Sequence, residues 1–508
     1  MDHNLILLSI VIFYFLLLLT IAYYTSRNSN NESFFVGNRS SKWWLVAFGM
    51  IGTSLSGMTF VSVPGTVGNA AFSYFQVVIG YWIGYFVVAF VLLPIYYKMQ
   101  LTSIYTYLEK RLGINAHKTG SLFFILSRTV GATLRLYLVI KVLELFILKD
   151  LNISFELTSV VILGLILLYT YKGGVKTIVW TDTLQTTFML LGLIVCIFYL
   201  SGKLDLNIPE AWAAVSKEGM TQTFNFDINS GNYFLKQIIG GAFITIAMTG
   251  LDQEMMQKNI SVSNLRDSKK NMMVMGTLQM IVVFIFLFLG GILTLYAQKN
   301  GITASGDDLF PTIAIESGLP FVITLCFVIG LISALFPSAD GALTALTSSF
   351  CIDILNMQER EKWNEKKRTQ VRLIVHNAFA ILFLAFVFFF REVDNGSLII
   401  ILLKLAGYTY GPLLGLFAFG ILTKRTVAQK WPIVMSLCAL FLTLIIDMVN
   451  NYEWYIPKFD LSDKTALFLT HLSDSIFNGY KIGIELLIVN AGITFLLLFF
   501  VSKKKTAI

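Results

Sequence analysis

Apolar residues in this chain do not alternate with polar ones; they form long blocks separated by short polar connectors. A helix crosses about 30 Å of hydrocarbon with roughly 20 apolar residues. Thirteen blocks meet that length: about 4–25, 43–64, 74–97, 120–148, 153–171, 174–201, 234–256, 271–297, 318–350, 373–390, 397–422, 431–450 and 482–502. The pattern predicts an all-α polytopic membrane protein with 13 transmembrane helices in a single domain over 1–508. The first block lacks a basic leader and a small-residue cleavage site, so it reads as a retained span and not a signal peptide.

Composition agrees with that reading. Of 508 residues, 56% are apolar and 13% charged, against about 25% charged in soluble domains, and the mean hydropathy is +0.73. The formal net charge of +8 reflects topology. If each span crosses once, 25 of the 38 Lys and Arg fall on one side and 8 on the other. The positive-inside rule then places the N-terminus outside and the C-terminus in the cytoplasm of a cell (plasma or inner) membrane. The surplus needs no nucleic-acid partner, and no obligate protein partner is evident. The longest outside loops, about 202–233 and 451–481, read as interfacial caps, and 356–372 as a short amphipathic helix. The four Cys lie in apolar stretches without a C-x-x-C, which excludes a disulfide framework or zinc site. The four His are scattered with no pairing signal. With no H-E-x-x-H, Walker loop or G-x-S-x-G elbow, no enzyme activity is expected; a polytopic membrane enzyme or sensor is the distant alternative.

Two spans break their own rules. The second contains GMIGTSLSGMTFVSVPG (49–65), with four glycines among Ser and Thr and a closing Pro64. Such a stretch suits either a locally unwound helix whose carbonyls bind a cation or solute, or close helix packing through small residues. The seventh, IIGGAFITIAMTGLDQEMMQKN (238–259), is interrupted at Gly240-Gly241 and closed by Asp252-Gln253-Glu254. These spans are five apart. They predict a five-plus-five inverted repeat with broken helices over about 43–422, one extra helix before it (4–25) and two after it (431–502). Gly80/Gly84 and Gly411/Gly415 read as packing motifs.

Charges inside spans face the bundle and have partners or functions. Asp182 lies about two turns into the sixth span. Asp340 lies deep in the ninth, after Pro337, which frees the carbonyl of Ser333, and among many hydroxyls. Carboxylate, hydroxyl and carbonyl oxygens suit a hard cation; pairing of either Asp with Lys or Arg is the alternative. Arg128 and Arg135, seven apart, share a face of the fourth span. Either can clamp a carboxylate or pair with Glu144, Asp182 or Asp340. Lys404 reads as a structural charge.

Five stretches together resemble the sodium:solute symporter family along nearly the whole chain: 34–65, TSIYTYLEKRLG (102–113), YKGGVKTIVWTDTLQ (171–185), GLDQEMMQKNIS (250–261) and FPSADGALTALTSSFCID (336–353). The resemblance implies a secondary active transporter that couples inward sodium movement to uptake of a small organic solute by alternating access. Its sodium site would use carbonyls of Gly52, Leu55 and Ala334 and the hydroxyl of Ser338; Pro337 stands where a second hydroxyl is expected. A second sodium or coupling site would lie at Asp182 and Asp340, with Asp340 and Gly341 in place of two hydroxyls. Solute contacts would come from Ser54, Ser56, Thr59, Gln76, Arg135 and Tyr408. Arg135 tilts the substrate towards a carboxylated solute such as sialic acid, with a sugar as the other choice. A proton-coupled permease using Asp182 or Asp340 is the rival reading.

Overall fold

The computed structural model describes residues 3–27, 29–144, 148, 153–393, 398–458 and 462–504. The helices are α1 (His3–Ser26), α2 (Asn31–Val36), α3 (Trp43–Ala70), α4 (Tyr74–Lys98), α5 (Thr106–Leu112), α6 (Ile114–Leu143) and α7 (Phe155–Tyr171). There follow α8 (Gly173–Lys203), α9 (Ile208–Lys217), α10 (Phe234–Gly250), α11 (Gln253–Ile260) and α12 (Leu265–Asn300). The rest are α13 (Phe321–Ser349), α14 (Glu365–Val393), α15 (Leu398–Leu422), α16 (Trp431–Asn450), α17 (Tyr452–Lys458), α18 (Asp463–Phe477) and α19 (Leu486–Val501). Among the described residues no β-strand forms; two isolated bridges occur, Ser41 with Val262 and Thr426 with Lys503.

Among the described residues nine helices are long and apolar enough to cross a membrane, or eleven if each of two bent pairs is one span. Two shorter apolar helices, α7 and α19, occupy the places of the fifth and thirteenth predicted spans. Polarity is partly inverted relative to a soluble protein. Large apolar residues such as Phe13, Trp180 and Phe500 face outward, whereas Asp182, Glu254, Lys258 and Asp340 are buried.

Both unusual spans are bent. α3 turns by 57° between Trp43–Leu55 and Thr59–Ala70, and α10 meets α11 at 64°. The second break is displaced from the expected Gly240-Gly241 to Leu251-Asp252. The glycine pair serves packing: a β-carbon on Gly241 would overlap the Val77 carbonyl of α4, and one on Gly80 the Ile238 carbonyl. Gly411 and Gly415 likewise admit Asn490 and Thr494 of α19. The kink that separates α7 from α8 falls at Gly174, the second residue of α8, whose φ of +50° and close approach to Phe34 admit only glycine. The segment 356–372 forms no helix of its own, since turns lead into α14 at Glu365.

α13 lies at the centre, packed on α8, α3 and α6, while α4 packs on α10 and α12 on α3. Two histidines are engaged after all. His117 sits between Glu109 (2.7 Å) and Asp353 (2.9 Å), and His376 between Thr170 (3.0 Å) and Thr347 (2.9 Å).

Candidate functional site

A cavity of about 90 Å³ opens at the bend of α3, lined there by Thr53, Ser54, Leu55 and Thr59. α4 adds Tyr74, Tyr81 and Tyr85, α6 adds Arg128 and Arg135, and α10, α11 and α12 complete the wall with Thr245, Thr249, Met255 and Gln279. Tyr85 donates its hydroxyl to Gln279. The lining joins aromatic faces, hydroxyls and guanidinium groups, a set suited to a polar organic solute.

The two arginines differ in kind. Arg128 is ion-paired to Glu254 and lies 3.9 Å from Asp252. Arg135 is buried, makes no hydrogen bond or ion pair among the described residues, and its Nε is an orphan donor. A buried guanidinium without an anion is costly, so this arrangement is suited to an arriving one.

The other predicted solute contacts are distributed. Ser54 and Thr59 line the cavity with Arg135; the side chain of Ser56 lies outside the described residues. Gln76 is buried but holds the connector before α10: its Nε2 donates to Ser73 (3.0 Å) and Asn232 (3.4 Å), and its Oε1 accepts from Asn225 N (3.3 Å). Tyr408 points its hydroxyl at Asp447 and Tyr455, beside Lys404, whose Nζ lies 2.9 Å from Asp447. Neither lines the cavity. The sequence missed the three α4 tyrosines, whose spacing of seven and four places them on one helix face.

The two helices that carry the proposed sodium ligands, α3 and α13, pack together. A β-carbon on Gly52 would lie 3.5 Å from Pro337 Cγ, and one on Gly57 3.6 Å from Leu335 Cα, so the α3 bend rests on the Ala334–Ser338 turn of α13. Ser338 donates its proton to the Leu335 carbonyl (2.8 Å), which leaves its lone pairs free to accept. Thr186 of α8 supports the bend by accepting from Gly52 N (3.2 Å). No side chain among the described residues donates to the carbonyls of Gly52 or Leu55. Both carbonyls lie in the helical run of α3, and a carbonyl oxygen that accepts one backbone bond keeps a second lone pair for a hard cation.

Asp182 and Asp340 have partners. Asp182 Oδ2 accepts from Lys258 Nζ (2.7 Å) and Thr53 Oγ1 (3.0 Å). Asp340 accepts from the Tyr169 hydroxyl (2.7 Å) and from Gly341 N (2.5 Å). Lys258 counts among the connector charges by sequence position, yet it is only 2% exposed. The signal available was its i,i+4 spacing from Glu254; the two lie 3.6 Å apart.

The break between α10 and α11 is fully claimed. Tyr96 donates to the Gly250 carbonyl (2.8 Å) and Tyr105 to that of Leu251 (3.0 Å). Gln253 bridges Thr102 O (2.9 Å) and Ile104 N (3.0 Å), which gives the 102–113 stretch a physical task. Asp252 caps α11 through Glu254 N (2.9 Å) and Met255 N (3.2 Å), and accepts from Tyr410 (2.7 Å).

Known proteins resemble this chain throughout. It is 24% identical over 400 residues to a sodium/sialic acid symporter of Proteus mirabilis, covering 76% of this chain and 78% of that one. It is 25% identical over 386 residues to the sodium-dependent multivitamin transporter of Oryctolagus cuniculus, covering 74% and 59%. In fold it matches a substrate-bound outward-open Na+-coupled sialic acid symporter with a TM-score of 0.79 and 18% identity, over 99% of this chain and 100% of that one. A closed nucleobase-cation-symport-1 family transporter matches with a TM-score of 0.54 and 13% identity, over 93% and 95%. The model of the sodium:solute symporter family matches residues 34–430. With that match spanning both broken helices, the cavity and the α13 turn, the chain belongs to the sodium:solute symporter family.

Proposed function

We propose that the protein couples inward sodium movement to uptake of a small carboxylated organic solute by alternating access. The observation that carries the substrate class is Arg135, a buried guanidinium without an anionic partner on the wall of the cavity. Relatives named for sialic acid and for monocarboxylates support the same class. Sodium would bind the carbonyls of Gly52, Leu55 and Ala334 and the hydroxyl of Ser338. Solute would meet Ser54, Ser56 and Thr59 from the bend and Arg135 from α6. We read α7 and α19 as spans too, giving thirteen crossings in one domain with the N-terminus outside and the C-terminus cytoplasmic. Moving one charge through 100 mV supplies about 2.3 kcal/mol, enough for about fiftyfold accumulation before the chemical gradient is added.

Thermal-shift screening of purified protein against a panel of solutes, each with sodium or choline, tests both parts. Carboxylated solutes are expected to stabilise only with sodium, and Arg135→Ala to erase the shift. Asp340, held by Tyr169 with no cation within ion-pair distance among the described residues, favours the proton-coupled rival. Uptake into sodium-free proteoliposomes driven by a pH gradient would decide for it.

A further inference from the structure

Asp182, Asp252, Glu254 and Asp340 are buried carboxylates; Asp182 bonds Thr53 of the cavity wall, and Glu254 and Asp252 lie against its Arg128. An intramembrane carboxylate ringed by other oxygens is the chemistry of a cation site. At Asp182 that ring is already filled. Lys258 Nζ lies 2.7 Å from Asp182 Oδ2, 2.7 Å from Thr53 Oγ1 and 3.6 Å from Glu254 Oε1. The oxygens come from α8, α3 and α11, so the ammonium joins three separate elements. We propose that Lys258 is a tethered cation occupying the site at Asp182, so that the protein carries a single sodium per cycle, bound at the bend of α3.

Two features keep the ammonium in place. Glu254 is held by Arg128 from one side and supports Lys258 from the other. It can approach α13 because residue 341 is glycine; a β-carbon there would overlap Glu254 Oε1. Any side chain at 341 would therefore displace the carboxylate that helps hold the ammonium. A mobile sodium would have to share Asp182 with a fixed like charge in a site that excludes water, where repulsion is weakly screened. Removing the ammonium alone would leave a vacant oxygen cage with excess negative charge. Asp182 Oδ1, buried and without a hydrogen-bond partner, would add a further ligand to that cage.

The inference rests on the sodium-coupled reading above, and 22Na+ binding to the purified full-length chain, in choline buffer, separates the two. Wild type is expected to bind one sodium per chain with a Hill slope near 1. Lys258→Met is expected to bind two, and Lys258→Met with Asp182→Asn one again. Two sodium ions per wild-type chain, or a folded Lys258→Met protein that still binds one, would overturn the inference. A wild type that binds none, with a Lys258→Met variant that binds one, would uphold the tethered cation and sink the sodium reading instead. Should Lys258→Met fail to give a monodisperse protein, the wild-type count decides: one upholds the inference and two overturns it.

Discussion

Neutralising Glu254 is the sharpest probe of the buried charge network. Its carboxylate is about 1% exposed and meets two cations, Arg128 and Lys258. Glu254→Gln keeps the shape and removes the charge. Lys258 retains Asp182 at 2.7 Å, so its loss is small, but Arg128 keeps only Asp252 at 3.9 Å. Stripping one partner from a buried pair costs about 3–5 kcal/mol. With Asp252 still in reach, the lower end of about 3 kcal/mol is expected. Reversible unfolding in mixed micelles measures it, and Arg128→Met completes a double-mutant cycle. The double variant should be no worse than Glu254→Gln alone, with a coupling of about 2–3 kcal/mol. The reasoning is refuted if Glu254→Gln costs under about 1 kcal/mol, or if Arg128→Met costs as much in that background as in wild type.

Arg135 should behave oppositely to Arg128. With no anion to lose, Arg135→Met is expected to stabilise the solute-free protein by about 1 kcal/mol. It should also abolish the roughly 2.7 kcal/mol that a ligand at a hundredfold its Kd contributes, read from thermal shifts with and without solute. Ser338→Ala removes one proposed sodium ligand worth about 1.4 kcal/mol and should weaken sodium about tenfold in 22Na+ titrations; unchanged affinity would remove Ser338 from the site. Tyr105→Phe leaves the Leu251 carbonyl without its donor and should cost about 1–3 kcal/mol in the same unfolding assay.

Legibility in the sequence followed from how local each signal was. Span positions, the two unusual spans and the glycine packing pairs could be read because hydropathy and small-residue spacing are local. The second break was misplaced because two adjacent glycines also suit close packing, and only the α4 contacts of Gly241 distinguish the cases. Lys258 was missed because a lysine beside a predicted connector normally reaches water. What turns it inward is the 64° bend between α10 and α11, and no local pattern encodes that bend. Arg128 and Arg135 were indistinguishable by spacing. Their difference depends on where Glu254 lies, 126 residues from Arg128 in sequence.

The two broken helices have opposite chemistry at their breaks, and this assigns them different tasks. Within a bilayer, every freed backbone group must find a partner in protein, water or ligand. At the α10–α11 junction the protein supplies the partners itself: tyrosine hydroxyls on Gly250 and Leu251, Asp252 on the first amides of α11, and Gln253 across to 102–104. Such a junction has nothing left to offer an ion and is suited to holding a fixed angle. At the α3 bend the carbonyls of Gly52 and Leu55 lie in a helical run and receive no side-chain donor among the described residues, so each keeps a second lone pair. A cation bound there, as proposed, would join α3 to the α13 turn. Sodium binding would then stiffen the very segment whose other face lines the solute cavity. On the proposed site the ion would order Ser54 and Thr59 before solute arrives, and coupling would require no direct contact between them. If solute bound with the same affinity in sodium and in choline, that ordering role would fail even with the sodium ligands correctly placed.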